Sequence, residues 1–343
     1  MKRFLLALSA ILLATALQGQ TRRMAVTGLS ENNLHAEADY TSELCTQTLM
    51  GTVVEIVSES GYWKQIRTPE PYTAWCTDLG LTEMRHDKLS SYLAAPKYIC
   101  TAMHSSVREN ASADSEPVSD LSMGDLVRAV RKNSGNASMK KGWAEVMLPD
   151  GRTGWTPAAD IAEFSSWASS RKADEESIIN TAKQFIGTPY LWGGASSKGL
   201  DCSGLVRMVW FMNGYLIPRD ASQQADLGRE IILEADHDIT PDSDKMRDEM
   251  LNRIKHIKPG DLIYFGTPAS LFKKETITHV GIYLGKGRFI HASHYVRISS
   301  LVPGEDDYYD NSFRLIKARR LFGWQGAGLK PIIHSPAYFL TKQ

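Results

Sequence analysis

The sequence predicts an α+β domain in the second half of the chain, preceded by two small all-β modules. The β modules are predicted from an internal repeat: residues 63–75 and 143–155 each begin and end with Trp and carry Ile or Val, Pro and Thr at matching positions. The α+β domain is predicted from helical apolar spacing in residues 174–213, followed by short apolar segments and Gly-containing turns in residues 259–293. Helices and strands in separate blocks are typical of this class.

The composition is that of a globular chain whose net charge favours neither a positively nor a negatively charged partner. Hydrophobic residues make up 43% of 343 residues, which is enough for a core in each of two or three domains. The 39 Lys and Arg residues balance 39 Asp and Glu residues, so the formal net charge is zero. This balance indicates neither nucleic acid nor an anionic membrane surface as a partner.

The first 20 residues predict a signal peptide. Two basic residues precede an apolar stretch at 4–17, which is shorter than the roughly 20 residues that span a bilayer. We therefore expect secretion across the inner membrane, a periplasmic location and no stable membrane insertion after cleavage near Gly19 or Gln20. The oligomeric state is not predicted.

The four cysteines divide into two groups. Cys45, Cys76 and Cys100 lie in the first hundred residues, and Cys202 stands apart. A secreted location permits disulfides, so any pair is expected among the first three, without a preferred pairing. Cys202 is expected to remain a free thiol.

The β modules are expected at residues 25–95 and 96–165. Their repeat resembles the bacterial SH3-like domain, a small barrel, and the resemblance implies two such barrels that bind or position substrate. Residues 166–172 are small and polar and predict a linker. The α+β domain is expected at 173–325, and the tail at 326–343 is expected to pack along the surface.

Cys202 is a candidate nucleophile because it lies where a buried helix should begin. The unpaired N–H groups and the dipole at a helix N-terminus favour a thiolate. The thiolate also needs a base, for which His is the usual residue. Of nine histidines, His279, His291 and His294 lie on predicted strands.

The register of the predicted hairpin decides which histidine accompanies His279. With a three-residue loop, at 285–287, His291 is its diagonal neighbour on the same face, about 7–8 Å away. With a two-residue loop, at 286–287, His294 lies opposite His279. The residues alone leave both registers open.

Three segments resemble the NlpC/P60 cysteine peptidases of bacterial cell walls: DCSG at 201–204, THVGIYLG at 278–285 and HAS at 291–293. The resemblance extends over about residues 173–320 and implies a papain-like core. When the two β modules are included, the chain most resembles the γ-D-glutamyl-L-diamino-acid endopeptidases that recycle peptidoglycan peptides.

The resemblance also implies the catalytic roles. Cys202 is the nucleophile, His279 the general base and acid, and His291 the residue that orients His279. His294 is then a bystander or a substrate contact. Tyr190 donates a hydrogen bond to the oxyanion. This chemistry requires no metal or cofactor.

Five further residues are implied to bind the substrate, and two of them come from the first β module. Asp220 and Glu43 would hold a free amine, because a cation in a narrow cleft needs a carboxylate partner. Instead of binding substrate, Glu43 could be a solvated loop charge, and Tyr72 could be a residue of the barrel rim. The implied substrate-binding residues are Glu43, Tyr72, Trp192, Ser203 and Asp220.

The implied function is hydrolysis of the γ-D-glutamyl–diamino acid bond in peptidoglycan-derived stem peptides with a free N-terminal L-Ala. One alternative is a DL-endopeptidase that acts on intact peptidoglycan. Another is a catalytically inert wall-binding protein, which is weakly supported by Ala221 in place of the family's usual Ser. The preferred diamino acid and the role of the charged insertion at 229–256 are not predicted.

Overall fold

The structure, a computed structural model, describes residues 22–234 and 245–340. It contains two antiparallel β sheets followed by a mixed α/β domain. The predicted signal peptide and residues 235–244 of the charged insertion lie outside the described residues. No helix within the described ranges is long and apolar enough to cross a membrane.

The first β module is a seven-stranded sheet with strand order β3-β2-β6-β5-β4-β1-β7. Alternating side chains such as Ala25, Leu34, Val54 and Ile66 form its core. A helix, α1 (His86–Ala94), follows the sheet. The strands are β1 (Arg23–Thr27), β2 (Glu31–His35), β3 (Leu44–Leu49), β4 (Val53–Ser60), β5 (Trp63–Arg67), β6 (Thr73–Thr77) and β7 (Leu81–Met84).

The second β module is an eight-stranded sheet. The Trp repeat occupies equivalent hairpins in the two modules: Gln65 pairs with Trp75, and Glu145 pairs with Trp155. The strands are β8 (Lys97–Cys100), β9 (His104–Arg108), β10 (Pro117–Ser122), β11 (Leu126–Ala129), β12 (Met139–Lys140), β13 (Trp143–Met147), β14 (Thr153–Pro157) and β15 (Ile161–Glu163).

The predicted linker at 166–172 is wrong, because helix α2 (Phe164–Ser170) covers most of it. Glu163 caps this helix by accepting hydrogen bonds from the backbone N–H groups of its first turn. Phe164 and Trp167 are buried. Two aromatic anchors therefore outweigh the small, polar composition of the segment.

The α+β domain packs helix α4 (Cys202–Met212) against a six-stranded antiparallel sheet of order β19-β24-β20-β21-β22-β23. Leu205 and Val209 of the helix share one core with Val280 and Ile290 of the sheet. The sheet strands are β19 (Arg229–Ile231), β20 (Leu262–Thr267), β21 (Thr276–Gly285), β22 (Arg288–Ser293), β23 (Tyr295–Ser300) and β24 (Leu315–Arg320). The other elements of this domain are α3 (Glu175–Gln184), α5 (Ala221–Gln224), α6 (Met246–Arg253) and short strands β16 (Ala195–Ser196), β17 (Gly199–Leu200), β18 (Tyr215–Leu216) and β25 (Lys330–Pro331).

The β21–β22 hairpin combines features of both predicted registers. Its turn has two residues, Lys286 and Gly287, both with positive φ. The register then shifts by one residue, so that Tyr283 pairs with Phe289 and Ile282 with Ile290. This bulge restores the register of the three-residue alternative, and His291 therefore lies diagonal to His279.

The C-terminal tail does not simply follow the surface, contrary to the expectation. Tyr338 is 3% exposed and packs edge-on against Phe164 and Phe211. Phe339 stacks on Phe164 with ring centroids 4.9 Å apart. The tail therefore joins helix α2 to helix α4.

The first β module is bonded directly to the α+β domain. The Gln47 side-chain oxygen accepts the Ala195 backbone N–H at 2.9 Å. A buried ion pair joins Glu70 to Arg207 at 2.7 Å. These contacts fix the module beside helix α4, next to Cys202.

Candidate active site

Cys202 occupies the first position of helix α4. The side chain of Asp201 caps this helix by accepting hydrogen bonds from the Gly204 N–H at 2.7 Å and the Ser203 hydroxyl at 3.1 Å. The backbone N–H groups of Ser203 and Val280 are directed at the Cys202 thiol and favour its thiolate. Since Val280 follows His279 on β21, the thiol lies against the strand that carries the expected base.

Burial controls the protonation of the candidate nucleophile and base. Burial, with a smaller contribution from the nearby Asp201 carboxylate, raises the pKa of Cys202 to about 12. It lowers the pKa of His279 to about 4, against a smaller opposing effect of Asp201. At neutral pH the resting pair is therefore a thiol and a neutral imidazole, and the thiolate forms when the proton moves to His279.

His279 is hydrogen-bonded to His291 and not to His294. The two rings meet edge to face, with 2.7 Å between His279 Nε2 and His291 Nδ1. Burial, with the nearby His279 and Arg297, lowers the pKa of His291 to about 2, so this ring is neutral. His294 is exposed in the turn after β22 and has a positive φ.

Ser299 extends this pair and was not predicted. Its hydroxyl lies 3.0 Å from His291 Nε2, and the residue is 1% exposed. On β23 it is the diagonal neighbour of His291, because His291 pairs with Arg297. The alternation of a third strand at 295–300 was the signal that places it on the histidine face.

His279, His291 and Ser299 form a hydrogen-bonded chain, which we call the relay. Its protons can be arranged so that His279 acts as a base. If His291 donates its Nε2 proton to the Ser299 oxygen, its Nδ1 accepts the Nε2 proton of His279. The Nδ1 atom of His279 is then unprotonated and free to take the thiol proton. In this arrangement the Ser299 oxygen supports, through His291, the tautomer of His279 that can act as the base.

Replacing Ser299 by Ala should lower the rate of Cys202 alkylation by iodoacetamide at neutral pH about tenfold, because His291 Nε2 loses its buried partner. The measurement is mass spectrometry of the Cys202 peptide over time. Ser299→Thr keeps the hydroxyl and should retain most of the rate. Equal rates for Ser299→Ala and the parent protein would contradict this role.

Tyr190 lies beside the nucleophile. Its backbone N–H donates to the His294 carbonyl at 2.9 Å, which fixes the loop. Burial, together with the neighbouring Cys202 and Asp201, raises the pKa of Tyr190 to about 12. The phenol therefore stays protonated and can donate a hydrogen bond to a developing oxyanion.

Arg219 connects several predicted residues, although it was not itself predicted. It is 3% exposed and ion-paired with Asp201. It also donates to the Ser203 hydroxyl at 2.7 Å and to the Thr46 hydroxyl, from the first β module, at 2.8 Å. Ser203 is therefore a buried structural partner of this pair. The Arg-Asp dipeptide at 219–220 was the available signal.

Glu43 of the first β module meets the α+β domain at the side chain of Trp192. The Trp192 Nε1–H donates to Glu43 Oε1 at 2.7 Å, although 62% of Trp192 is exposed. Glu43 is exposed, but its carboxylate contacts the α+β domain and is not surrounded only by solvent. Its binding of a substrate amine stays a prediction.

Tyr72 and Asp220 lie near the same contact. Asp220 raises the pKa of Tyr72, an effect that adds to that of burial, so the two groups are close in space. Burial raises the pKa of Asp220. The Arg219 charge opposes this shift, and the carboxylates of Asp201 and Glu43 add smaller increases. A cation bound next to Asp220 and Glu43 would therefore stabilise the charged form of the Asp220 carboxylate. Ala221 begins the short helix α5, and Ser222 beside it is exposed.

The cysteines and the acidic residues form neither a disulfide nor a metal site in the described ranges. Cys45, Cys76, Cys100 and Cys202 are all free thiols. Within residues 22–234 and 245–340, no group of three or more His, Cys, Asp or Glu side chains is arranged to hold a metal ion.

A thiol at a helix N-terminus, beside a histidine pair and a protonated Tyr, is the arrangement of a cysteine hydrolase. Residues 187–316 match the NlpC/P60 family. This part of the chain is an NlpC/P60 domain with the papain-like fold, and the protein is a cysteine peptidase.

The similarity extends beyond the family match. The chain is 28% identical to the gamma-D-glutamyl-L-lysine dipeptidyl-peptidase of Bacillus subtilis over 81% of each protein. It is 26% identical to the Bacillus cereus protein of that name over 76% of this chain and 71% of the relative. A solved NlpC/P60 family protein from Bacillus cereus has the same fold, with a TM-score of 0.67 and 22% identity over 87% of this chain and 99% of its own.

Proposed function

We propose that the protein hydrolyses the bond between γ-D-glutamate and a diamino acid in peptides released from peptidoglycan. The substrate carries a free N-terminal L-Ala, and the reaction serves the recycling of wall peptides. The proposed location is the periplasm, after removal of residues 1–20. The two β modules are proposed to be SH3-like, and the first of them to complete the substrate cleft.

The observation that carries this proposal is the hydrogen bond between Glu43 and Trp192. It joins a carboxylate of the first β module to the peptidase domain, and this carboxylate is close enough to Asp220 to raise the pKa of Asp220. A short peptide with a free amine gains an ionic partner at this end of the cleft. A stem peptide still attached to the wall has a blocked N-terminus and would place an uncharged amide among these carboxylates.

The reaction begins when His279 takes the proton of Cys202 and the thiolate attacks the γ-carbonyl of D-glutamate. The Tyr190 hydroxyl and the Cys202 backbone N–H stabilise the oxyanion. His279 then protonates the leaving amine of the diamino acid, and the acyl group remains on sulfur as a thioester. Water activated by the neutral His279 hydrolyses the thioester and regenerates the thiol.

N-acetylation of the tripeptide L-Ala-γ-D-Glu-diamino acid should lower kcat/KM about 100-fold, because the charge-assisted contacts to the amine are lost and the carboxylates are left unpaired. Rates on the free and acetylated peptides, measured by chromatography, test this expectation. Glu43→Gln should reduce the discrimination. Glu37→Gln makes the same charge change in the same hairpin, outside the Trp192 contact, and should preserve it. Equal rates on the two peptides would favour a hydrolase of intact peptidoglycan.

A further inference from the structure

A second recess opens from the catalytic centre on the side of His279. It is a cavity of ≈ 460 Å³ built from the NlpC/P60 domain alone, with no residue from the Glu43 end of the cleft. We call it the His279 cavity. Its lining residues are Tyr190, Phe265, Thr278, His279, Ala292, Ser293, His294, Tyr309, Asn311 and Arg314.

The chemistry places the leaving half of the substrate in this cavity. The group that protonates the leaving amine must lie within hydrogen-bond reach of it. That group is His279, so the residue released with the amine lies on the His279 side of the scissile bond. The Glu43 and Asp220 end then holds the acyl half of the peptide.

Arg314 provides the charge of the His279 cavity. It is the one Lys or Arg among the lining residues, and none of them is a carboxylate. The Arg314 guanidinium makes two hydrogen bonds, to the Gly266 carbonyl and the Thr278 hydroxyl, each 3.4 Å long and therefore weak. Among the described residues it has no ion-pair partner, so its strong donors remain available to a ligand.

The backbone holds Arg314 in place. It ends a 3-10 helix (Ser312–Arg314) in which Ser312 is fully buried. The Ser312 hydroxyl donates to the Tyr308 hydroxyl at 2.8 Å. The next residue, Leu315, pairs with Phe265 of β20. A guanidinium on a fixed backbone loses less entropy when it binds an anion.

We propose that the His279 cavity is the subsite for the diamino acid and that Arg314 binds a carboxylate of that residue. This inference rests on the proposed function. The positive charge of Arg314 would distinguish the leaving diamino acids by their own charges. Lysine offers its α-carboxylate when the peptide ends there, whereas its side-chain ammonium is repelled by Arg314. 2,6-Diaminopimelate offers a second carboxylate at the end of its side chain.

The test uses L-Ala-γ-D-Glu linked to 2,6-diaminopimelate in three forms: unmodified, amidated at the side-chain carboxylate, and amidated at the α-carboxylate. Each amide removes one negative charge with little change of shape. Amidation of the carboxylate that Arg314 binds should lower kcat/KM about tenfold in the parent enzyme, the low end for a charge-assisted hydrogen bond. In Arg314→Gln the same amidation should have little effect.

Arg288→Gln is the matched control. Arg288 lies in the same domain but faces Asp307 outside the cavity, so this variant should keep the parent's tenfold penalty. If side-chain amidation lowers kcat/KM in the parent enzyme and Arg314→Gln abolishes this penalty, the result would support selection of a dicarboxylic diamino acid over lysine. If α-amidation lowers kcat/KM in the parent enzyme and Arg314→Gln abolishes this penalty, the result would support recognition of peptides that end at the diamino acid.

Two other results would overturn the inference, and they are distinct from failure of the proposed function. In the first, neither amidation changes kcat/KM of the parent enzyme. In the second, Arg314→Gln and Arg288→Gln both show the same penalty as the parent. In both cases the γ-D-glutamyl bond is still cut, so the function stands while the role of Arg314 does not. If none of the three peptides is cut by the parent enzyme, the proposed function itself fails.

Discussion

Replacing Cys202 by Ser should lower kcat/KM on L-Ala-γ-D-Glu-diamino acid peptides by roughly 10³-fold or more while the fold persists. His279, with a pKa lowered to about 4, is a weak base. It receives the proton of a thiol more readily than that of a hydroxyl, because the hydroxyl is the far weaker acid. The substitution changes one atom at the start of helix α4 and leaves the Asp201 cap in place.

Circular dichroism and the urea midpoint provide the folding control for Cys202→Ser. The cause of the loss is tested with an iodoacetamide probe, read at individual cysteines by mass spectrometry. Cys202 should be labelled more slowly in His279→Ala than in the parent protein, whereas the half-buried Cys45, outside the relay, should be labelled at an unchanged rate. Undiminished hydrolysis by Cys202→Ser would contradict the assignment of the nucleophile.

Replacing Arg219 by Met should lower the free energy of unfolding by about 3–5 kcal/mol, the usual cost of removing one partner of a buried ion pair. The substitution leaves the Asp201 carboxylate buried without its cation and removes the hydrogen bond to Thr46. Asp201 also caps the nucleophile helix, so we expect activity to fall together with stability. Urea unfolding followed by tryptophan fluorescence measures the change.

Arg229 provides the control for this second prediction, because it is exposed in the same domain. Arg229→Met should change the free energy of unfolding by no more than about 0.5 kcal/mol. In the double variant Asp201→Asn/Arg219→Met, the loss should be smaller than the sum of the two single losses, because no lone charge stays buried. An Arg219→Met protein as stable as the parent would show that the ion pair does not hold the site together.

The helix that presents Cys202 was predictable because its signals are local. Asp201 is an N-cap residue, the following residues are apolar, and Asn213-Gly214 ends the pattern. The structure begins and ends the helix at Cys202 and Met212. The resemblance to the NlpC/P60 family, which rests on short segments around Cys202, His279 and His291, is confirmed by the family match.

The partner of His279 was not predictable from the residues alone. A two-residue turn on its own would have placed His294 opposite His279. A single-residue bulge at Leu284 reverses that parity and brings His291 into contact instead. Bulges depend on how a strand packs against its neighbours, so hairpin length alone does not determine which side chains meet.

Long-range contacts account for the other differences from the predictions. Ser299 contacts His291 across two neighbouring strands, and Arg219 joins Asp201 to Thr46 of the first β module. The predicted linker became a helix because Phe164 and Trp167 bury their rings, with Tyr338 of the tail against Phe164. Composition described these segments as polar or peripheral, whereas a few aromatic side chains determined where they pack.

The most direct test of the proposed function is mass spectrometry of the products formed from L-Ala-γ-D-Glu-diamino acid by the purified protein. The account predicts two products, the dipeptide L-Ala-γ-D-Glu and the free diamino acid, and neither of them with Cys202→Ser. Cleavage at the L-Ala–D-Glu bond, or the same products from Cys202→Ser, would contradict it.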